Sequence, residues 1–229
     1  NNFGLPPSRY TANYNTLIGY KCGLNMYDNA DYNILIGYEC GFSGGGVDNE
    51  NTQPNNQYQG THNIYMGYRC GYTTTTASSN VAIGNQSLLS NTTGANNVAM
   101  GYQSLYSNTA SNNTAIGYKC SYFNSSGQYN TAIGYKCLEG ETDAYTGTNS
   151  NVAIGYQCGL FVGDGATNNV LIGYECAKAA TGSGEFEGGE NVIIGNQCAN
   201  LITTGNNNVI IGNKCLNGTI RAPDNQGTL

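Results

Sequence analysis

Nine cysteines, nineteen tyrosines and one histidine are the side chains of this 229-residue chain with most capacity for chemistry. The cysteines are Cys22, Cys40, Cys70, Cys120, Cys137, Cys158, Cys176, Cys198 and Cys215, and each stands seven residues after an asparagine. Thiols at a fixed phase can pack as small weakly polar groups, join as disulfides, bind metal or act as nucleophiles. A nucleophile needs a base. The only histidine, His62, precedes a predicted strand and has no Ser or Cys partner at a fixed spacing, so neither a Ser–His–Asp nor a Cys–His arrangement is supported. The Cys-x-x-Cys spacing of zinc sites is absent, and a linear column of thiols does not make a tetrahedron. The sequence therefore predicts no enzyme, no catalytic residue, no cofactor site and no metal site.

The elements that must position these residues are copies of one segment. Asn113–Cys120 reads N-T-A-I-G-Y-K-C, and the pattern Asn-x-x-[Ile/Met]-Gly-[Tyr/Asn]-x-[Cys/Ser] also begins at Asn15, Asn33, Asn63, Asn80, Asn97, Asn130, Asn151, Asn169, Asn191 and Asn208. Successive starts are 18, 30, 17, 17, 16, 17, 21, 18, 22 and 17 residues apart, which predicts a basic coil of 17 residues with insertions. A short fixed period signals a solenoid, which grows by stacking coils and needs no single central core. Insertions fall between the Cys/Ser position and the next Asn, the longest at Gly41–His62, Ala177–Glu190 and Leu138–Ser150. Variation confined to one part of the repeat predicts loops along one edge of the stack.

With the Asn as position zero, position one is always Thr, Ile or Val, position three is Ile or Met, and position four is always Gly. Positions one and three share one face of an extended strand, and their branched side chains read as a stripe facing a core. Position two (Leu, Tyr, Ala or Ile) reads as an opposite apolar face that packs against neighbouring chains. The invariant glycines Gly19, Gly37, Gly67, Gly84, Gly101, Gly117, Gly134, Gly155, Gly173, Gly195 and Gly212 read as corners, where positive φ or tight packing excludes a Cβ. Position six (Lys, Arg, Glu or Gln) reads as a solvent-facing column, with positions five and seven pointing the other way.

Columns follow from stacking. Tyr20, Tyr38, Tyr68, Tyr102, Tyr118, Tyr135, Tyr156 and Tyr174 form an aromatic ladder at position five, which stabilises the stack or offers a ligand-binding strip. The nine cysteines with Ser87 and Ser104 form a ladder at position seven, rungs ~4.8 Å apart. That spacing allows either inward packing or disulfides between adjacent coils, but nine is odd and three consecutive rungs cannot all pair. The Asn column predicts an amide ladder or an Asx turn.

Asn112–Cys120 (N-N-T-A-I-G-Y-K-C) and Ser79–Ser87 (S-N-V-A-I-G-N-Q-S) resemble the head repeats of trimeric autotransporter adhesins. Ser90–Leu105 (S-N-T-T-G-A-N-N-V-A-M-G-Y-Q-S-L) is similar to the longer variant in phage and giant-virus tail or surface fibres. The resemblance spans Asn15 to Leu216 and implies a left-handed parallel β-roll, three of which associate. It departs in the Cys that replaces Ser in nine of the eleven copies, and neither an anchor barrel nor a C-terminal intramolecular chaperone is visible.

The expectation is an all-β parallel β-roll, or β-solenoid, of about eleven short coils, left-handed and homotrimeric. Residues 1–14 form a lead-in, 15–216 the roll, and 217–229 a tail or the start of a following segment. The chain begins Asn-Asn-Phe without an initiator Met, which reads as a processed product or a piece of something longer. A net charge of −6 disfavours nucleic acid, and no apolar run approaches the ~20 residues of a membrane helix. Acidic Gly-rich insertions (Gly44–Glu50, around Asp164, Gly182–Glu190) lack the repeated Gly-Gly-x-Gly-x-Asp of calcium-binding rolls. Sequons stand at Asn85, Asn91, Asn112, Asn124 and Asn217. The functional expectation is a structural fibre segment, extracellular, on the cell surface or on a virion, with edge loops turned to a receptor or glycan. The alternative is a self-polymerising filament subunit whose coils continue end to end. An ice-binding solenoid is a weaker third reading, since it would want a flat Thr-x-Thr face.

Overall fold

The structure, a computed structural model, describes residues 12–43, 57–140, 147–179, 186–200 and 204–216. Most of the predicted lead-in, the whole of the tail and the middles of the three long insertions lie outside them. So do the acidic stretch Gly44–Glu50, the first four residues of Gly182–Glu190, and Asn217.

Every repeat contributes one strand. They are β1 (Thr16–Ile18), β2 (Ile34–Ile36), β3 (Ile64–Met66), β4 (Val81–Ile83), β5 (Val98–Met100), β6 (Thr114–Tyr118), β7 (Thr131–Tyr135), β8 (Val152–Tyr156), β9 (Val170–Tyr174), β10 (Val192–Asn196) and β11 (Val209–Asn213). All eleven lie in one parallel sheet in chain order, with each strand paired to the next. The register aligns like positions throughout, as in Ala115↔Ala132 and Gly134↔Gly155. The fold is an all-β parallel β-solenoid, with no helix among the described residues.

The facing of the strand is the reverse of the sequence expectation. Position two is the core row: Leu35, Tyr65, Ala82, Ala99, Ala115, Ala132, Ala153, Leu171 and Ile193 are all buried. Positions one and three are half-buried or exposed on the outer surface. All three rows are apolar, so hydrophobicity could not orient the strand. Size does. The inner space of so short a coil is narrow, and the row that enters it varies from Ala to Tyr, whereas the open face at positions one and three carries only Thr, Val, Ile and Met.

The core row is matched by position eight, across the coil. Tyr65 faces Gly71, where an added Cβ would lie 2.3 Å from the Tyr65 ring. Leu35 likewise lies against Gly41, and Leu17 against Gly23. In three of the five coils with Ala at position two (Ala82, Ala99, Ala132), position eight is a buried Leu (Leu88, Leu105, Leu138). Large faces small in eight of the eleven coils, as close packing favours, while Ala115–Ser121 and Ala153–Gly159 are small on both sides and Ile210–Leu216 is large on both.

The bends also differ from expectation. In β1–β5 the strand stops just before the Gly, while in β6–β11 it runs through the Gly to position five. The Gly has φ from +123° to +145° in all eleven copies. A Cβ on Gly134 would meet the Gly155 carbonyl oxygen at 1.9 Å, and every copy from Gly19 to Gly195 meets the next in the same way. The glycine is thus a contact between coils as much as a corner. The chain itself turns at positions six and eight and at the residue before the Asn. There Gln86, Leu88 and Ser79, for example, adopt left-handed φ of 55°, 54° and 59°.

Candidate functional site

The candidate site is a set of columns along the solenoid. The Asn column is the most completely bonded. Each Asn from Asn33 to Asn208 donates its backbone N–H to the Oδ1 of the Asn one coil before, at 2.8–3.1 Å. Of the two sequence alternatives, the amide ladder forms. The same side chains close their own coils. Nδ2 donates to the carbonyl three residues before the next Asn: Asn80 to Gly94, Asn97 to Ala110, Asn130 to Thr148 and Asn191 to Gly205. Asn33 reaches Gly60 in this way although its coil carries the longest insertion. Closure is therefore independent of loop length. Sequence reasoning missed the closing residue, yet a signal was there: that position is Ala, Gly or Thr before every such Asn.

The thiol column points inward. Cys40, Cys70, Cys120, Cys137, Cys158, Cys176 and Cys198 are buried, Cys22 and Cys215 at its two ends are half-buried, and all nine are free thiols. Positions five and seven therefore point in opposite directions, correcting the expectation that they share a side; the left-handed residue at position six makes the switch. Each thiol from Cys22 to Cys198 donates to a carbonyl of the following coil, as Cys70 does to Ala82 at 3.1 Å and Cys158 to Gly173 at 3.1 Å. Ser87 and Ser104 substitute directly: Ser87 bonds the Ala99 carbonyl at 2.9 Å and the two hydroxyls lie 2.9 Å apart. Contact with the Cys120 thiol, reinforced by burial, pushes Cys137 up to about 12; contact with Cys137, with burial, does the same to Cys158. Contact with Cys158 and burial raise Cys176 further. At neutral pH these are thiols and not thiolates, so they are not nucleophiles.

The tyrosine column points outward, with neighbouring rings stacked. Centroids are 5.3 Å apart for Tyr102–Tyr118, then 5.1, 4.9 and 5.0 Å through Tyr135 and Tyr156 to Tyr174. Tyr20, Tyr38 and Tyr68 form a second run. Because the faces cover one another, the ladder offers ring edges and hydroxyls to solvent. Stacking is the role this geometry performs, and a ligand-binding strip of open ring faces is not formed. Asn85 separates the two runs. The position-six column is less solvated than expected: Glu39 is buried and pairs with Arg69 at 2.7 Å. Gln103 donates to Gln86, and Glu175 accepts from Lys178 and Gln197. Lys21, Arg69 and Lys119 also lie over paired aromatic rings, Lys119 at 4.7 Å from Tyr122.

His62 stacks on Tyr32, which stacks on Tyr14, a column at the residue before the Asn. Among the described residues no group of three or more His, Cys, Asp or Glu is arranged to hold a metal ion. Nor do the described residues hold a helix long and apolar enough to cross a membrane. Of the sequons, Asn91 and Asn124 are buried and closed to modification in the fold.

Beside these inward and stacked columns lies the outer sheet face, rows one, three and five. Its side chains are Thr, Val, Ile, Met, Tyr and Asn in every strand, without one charge. It measures roughly 13 Å by 48 Å from strand geometry, on the order of 600 Å². Compared with family models, with curated proteins and with solved structures, the chain matches none.

Proposed function

We propose that this chain is a non-enzymatic structural segment of an extracellular or virion fibre, built as a homotrimer of left-handed rolls. The observation that carries the reading is the uncharged outer face. A monomeric sheet exposed to water alternates polar outward residues with apolar inward ones, whereas here both sides are apolar. An apolar patch of this size is at the upper end of what monomers leave exposed and marks an interaction surface. Its occupant is another copy of the chain: the face repeats the same uncharged rows from coil to coil in aligned register, so a second copy can match it rung for rung. The sequence expectation of an apolar face against neighbouring chains is kept, with rows one, three and five in place of row two. The resemblance to adhesin-head and fibre repeats supports the same assembly.

The loops at the edge, freed from any role in closing the coil, are the parts able to vary toward a receptor or glycan. End-to-end polymerisation is the rival reading. Analytical ultracentrifugation of the wild type and of Ile116→Glu/Ile133→Glu decides the assembly. A trimer that the double variant converts to a folded monomer is expected. A wild-type monomer would overturn the proposal, and open-ended filaments under the electron microscope would replace it with the rival.

A further inference from the structure

Two of the five sequons lie where a glycan has no way out. Asn91 and Asn124 occupy the same phase, eleven residues after a ladder Asn, and are 0% and 1% exposed. Asn91 Nδ2 donates to the Gly94 carbonyl at 2.8 Å, and its Oδ1 accepts from the Gly94 N–H at 2.8 Å. Asn124 holds Gly127 in the same two ways, at 3.2 and 3.1 Å. These are the carbonyls on which the ladder residues Asn80 and Asn113 close their coils. An N-linked glycan is carried on Nδ2, and a sugar there needs the coil open. At these two positions the chain is glycosylated or closed, and cannot be both.

Oligosaccharide transfer reads Asn-x-Ser/Thr in the unfolded chain as it enters the secretory lumen, so the sequons of secreted proteins lie in surface loops. The thiols add an independent observation. The same lumen is oxidising and joins cysteines as disulfides. Here all nine are free, and the interior ones give hydrogen bonds that a disulfide sulfur has no proton to make, as Cys40 does to the Tyr65 carbonyl at 3.2 Å and Cys176 to Gly195 at 3.1 Å. We propose that this chain folds in a reducing compartment outside the reach of N-linked glycosylation, a cytosol. This goes beyond the fibre reading and is independent of oligomeric state. Within that reading it favours a fibre assembled onto a particle inside the cell over one exported unfolded through the secretory route.

The full chain is made by cell-free translation under reducing conditions, alone or, behind a cleavable signal peptide, with endoplasmic-reticulum microsomes. After release by detergent, limited proteolysis separates folded from unfolded chains, and glycan occupancy is mapped in each by mass spectrometry. Chains made alone should resist protease. In microsomes Asn91 and Asn124 should carry glycan, and only in the protease-sensitive chains. A competing acceptor tripeptide should restore resistance without any substitution. Thr93→Val/Ser126→Ala, at two exposed positions, removes both acceptor motifs but keeps both asparagines, and should raise the resistant share.

A glycan on either asparagine in the resistant chains would overturn the proposal, as would resistant wild-type chains that leave both sequons bare in microsomes without the tripeptide. Omitting the reductant, with the tripeptide present, tests the thiols. Disulfide-linked, protease-sensitive chains are expected, and resistant chains, whether their thiols are free or paired, would overturn the reducing half. The trimer is tested separately by ultracentrifugation, so either reading can fail alone.

Discussion

At the scale of the residue, asparagine does most to define the coil. Asn97, itself buried, accepts from the Asn113 backbone N–H at 2.9 Å and donates to the Ala110 carbonyl at 2.8 Å, the first bond buried and the second partly so. Asn97→Asp keeps the shape and the acceptor but sets a carboxylate oxygen against that carbonyl. The protonated acid can still donate, so its pKa in the fold is raised above the ~3.9 of an unfolded Asp. Stability of the variant is then greatest below pH ~3.9 and is lost as pH rises through the raised value. Urea melts should place it near wild type at pH 3.5 and about 2–4 kcal/mol below it at pH 7. Equal loss at both pH values would show that the carboxylate finds water. The tyrosines at position five, by contrast, look like chemistry in the sequence and are stacked supports in the fold.

At the scale of the element, the strand and its opposing turn are a packing pair. Ala99 and Leu105 are buried in one coil, and Leu105 holds a left-handed φ of 50° that glycine adopts without strain. Ala99→Leu alone overfills the coil, at about 1–3 kcal/mol, and Leu105→Gly alone leaves a cavity. The double variant recreates the Leu35–Gly41 pairing of another coil. Thermal melts should find it more stable than either single change, with a coupling of about 1–3 kcal/mol; additive losses would refute the pairing.

This pairing also explains what the sequence could and could not disclose. The eleven coils, their parallel register, the inward thiols and the Asn ladder were all legible, because like residues recur at like phase. The direction of the strand was not. Rows one, two and three are all apolar, and the information lay in the size of position two relative to position eight, a relation across the coil that no single strand contains. The left-handed turns were half legible: Asn96, Asn112, Asn168 and Asn207 mark the residue before the ladder Asn, whereas Lys, Gln and Glu at position six carry no such sign.

At the scale of the whole molecule, the buried thiols and two buried tyrosines set an alkaline limit. Cys137 and Cys158 are raised from 9.0 to about 12 by neighbouring sulfur and burial, and burial raises Tyr58 and Tyr65 as well. A group whose folded pKa exceeds its unfolded one stabilises fully below the unfolded value and progressively less above it. Melting temperature should be level from pH 7 to about 9 and fall between 9 and 12. Cys137→Ser/Cys158→Ser should flatten the fall, and an unchanged slope would assign it elsewhere.

The ladders described above all run along the solenoid axis: backbone bonds, Asn to Asn and ring on ring. A pull applied along that axis therefore bears on the bonds lengthwise and on one coil junction at a time. A pull across it bears on covalent backbone. Axial traction is expected to part the stack coil by coil, each coil paying out its length of chain before the next junction is loaded. In a fibre that tethers one body to another, such a segment would yield by stages and absorb a jolt that would snap a single brittle joint.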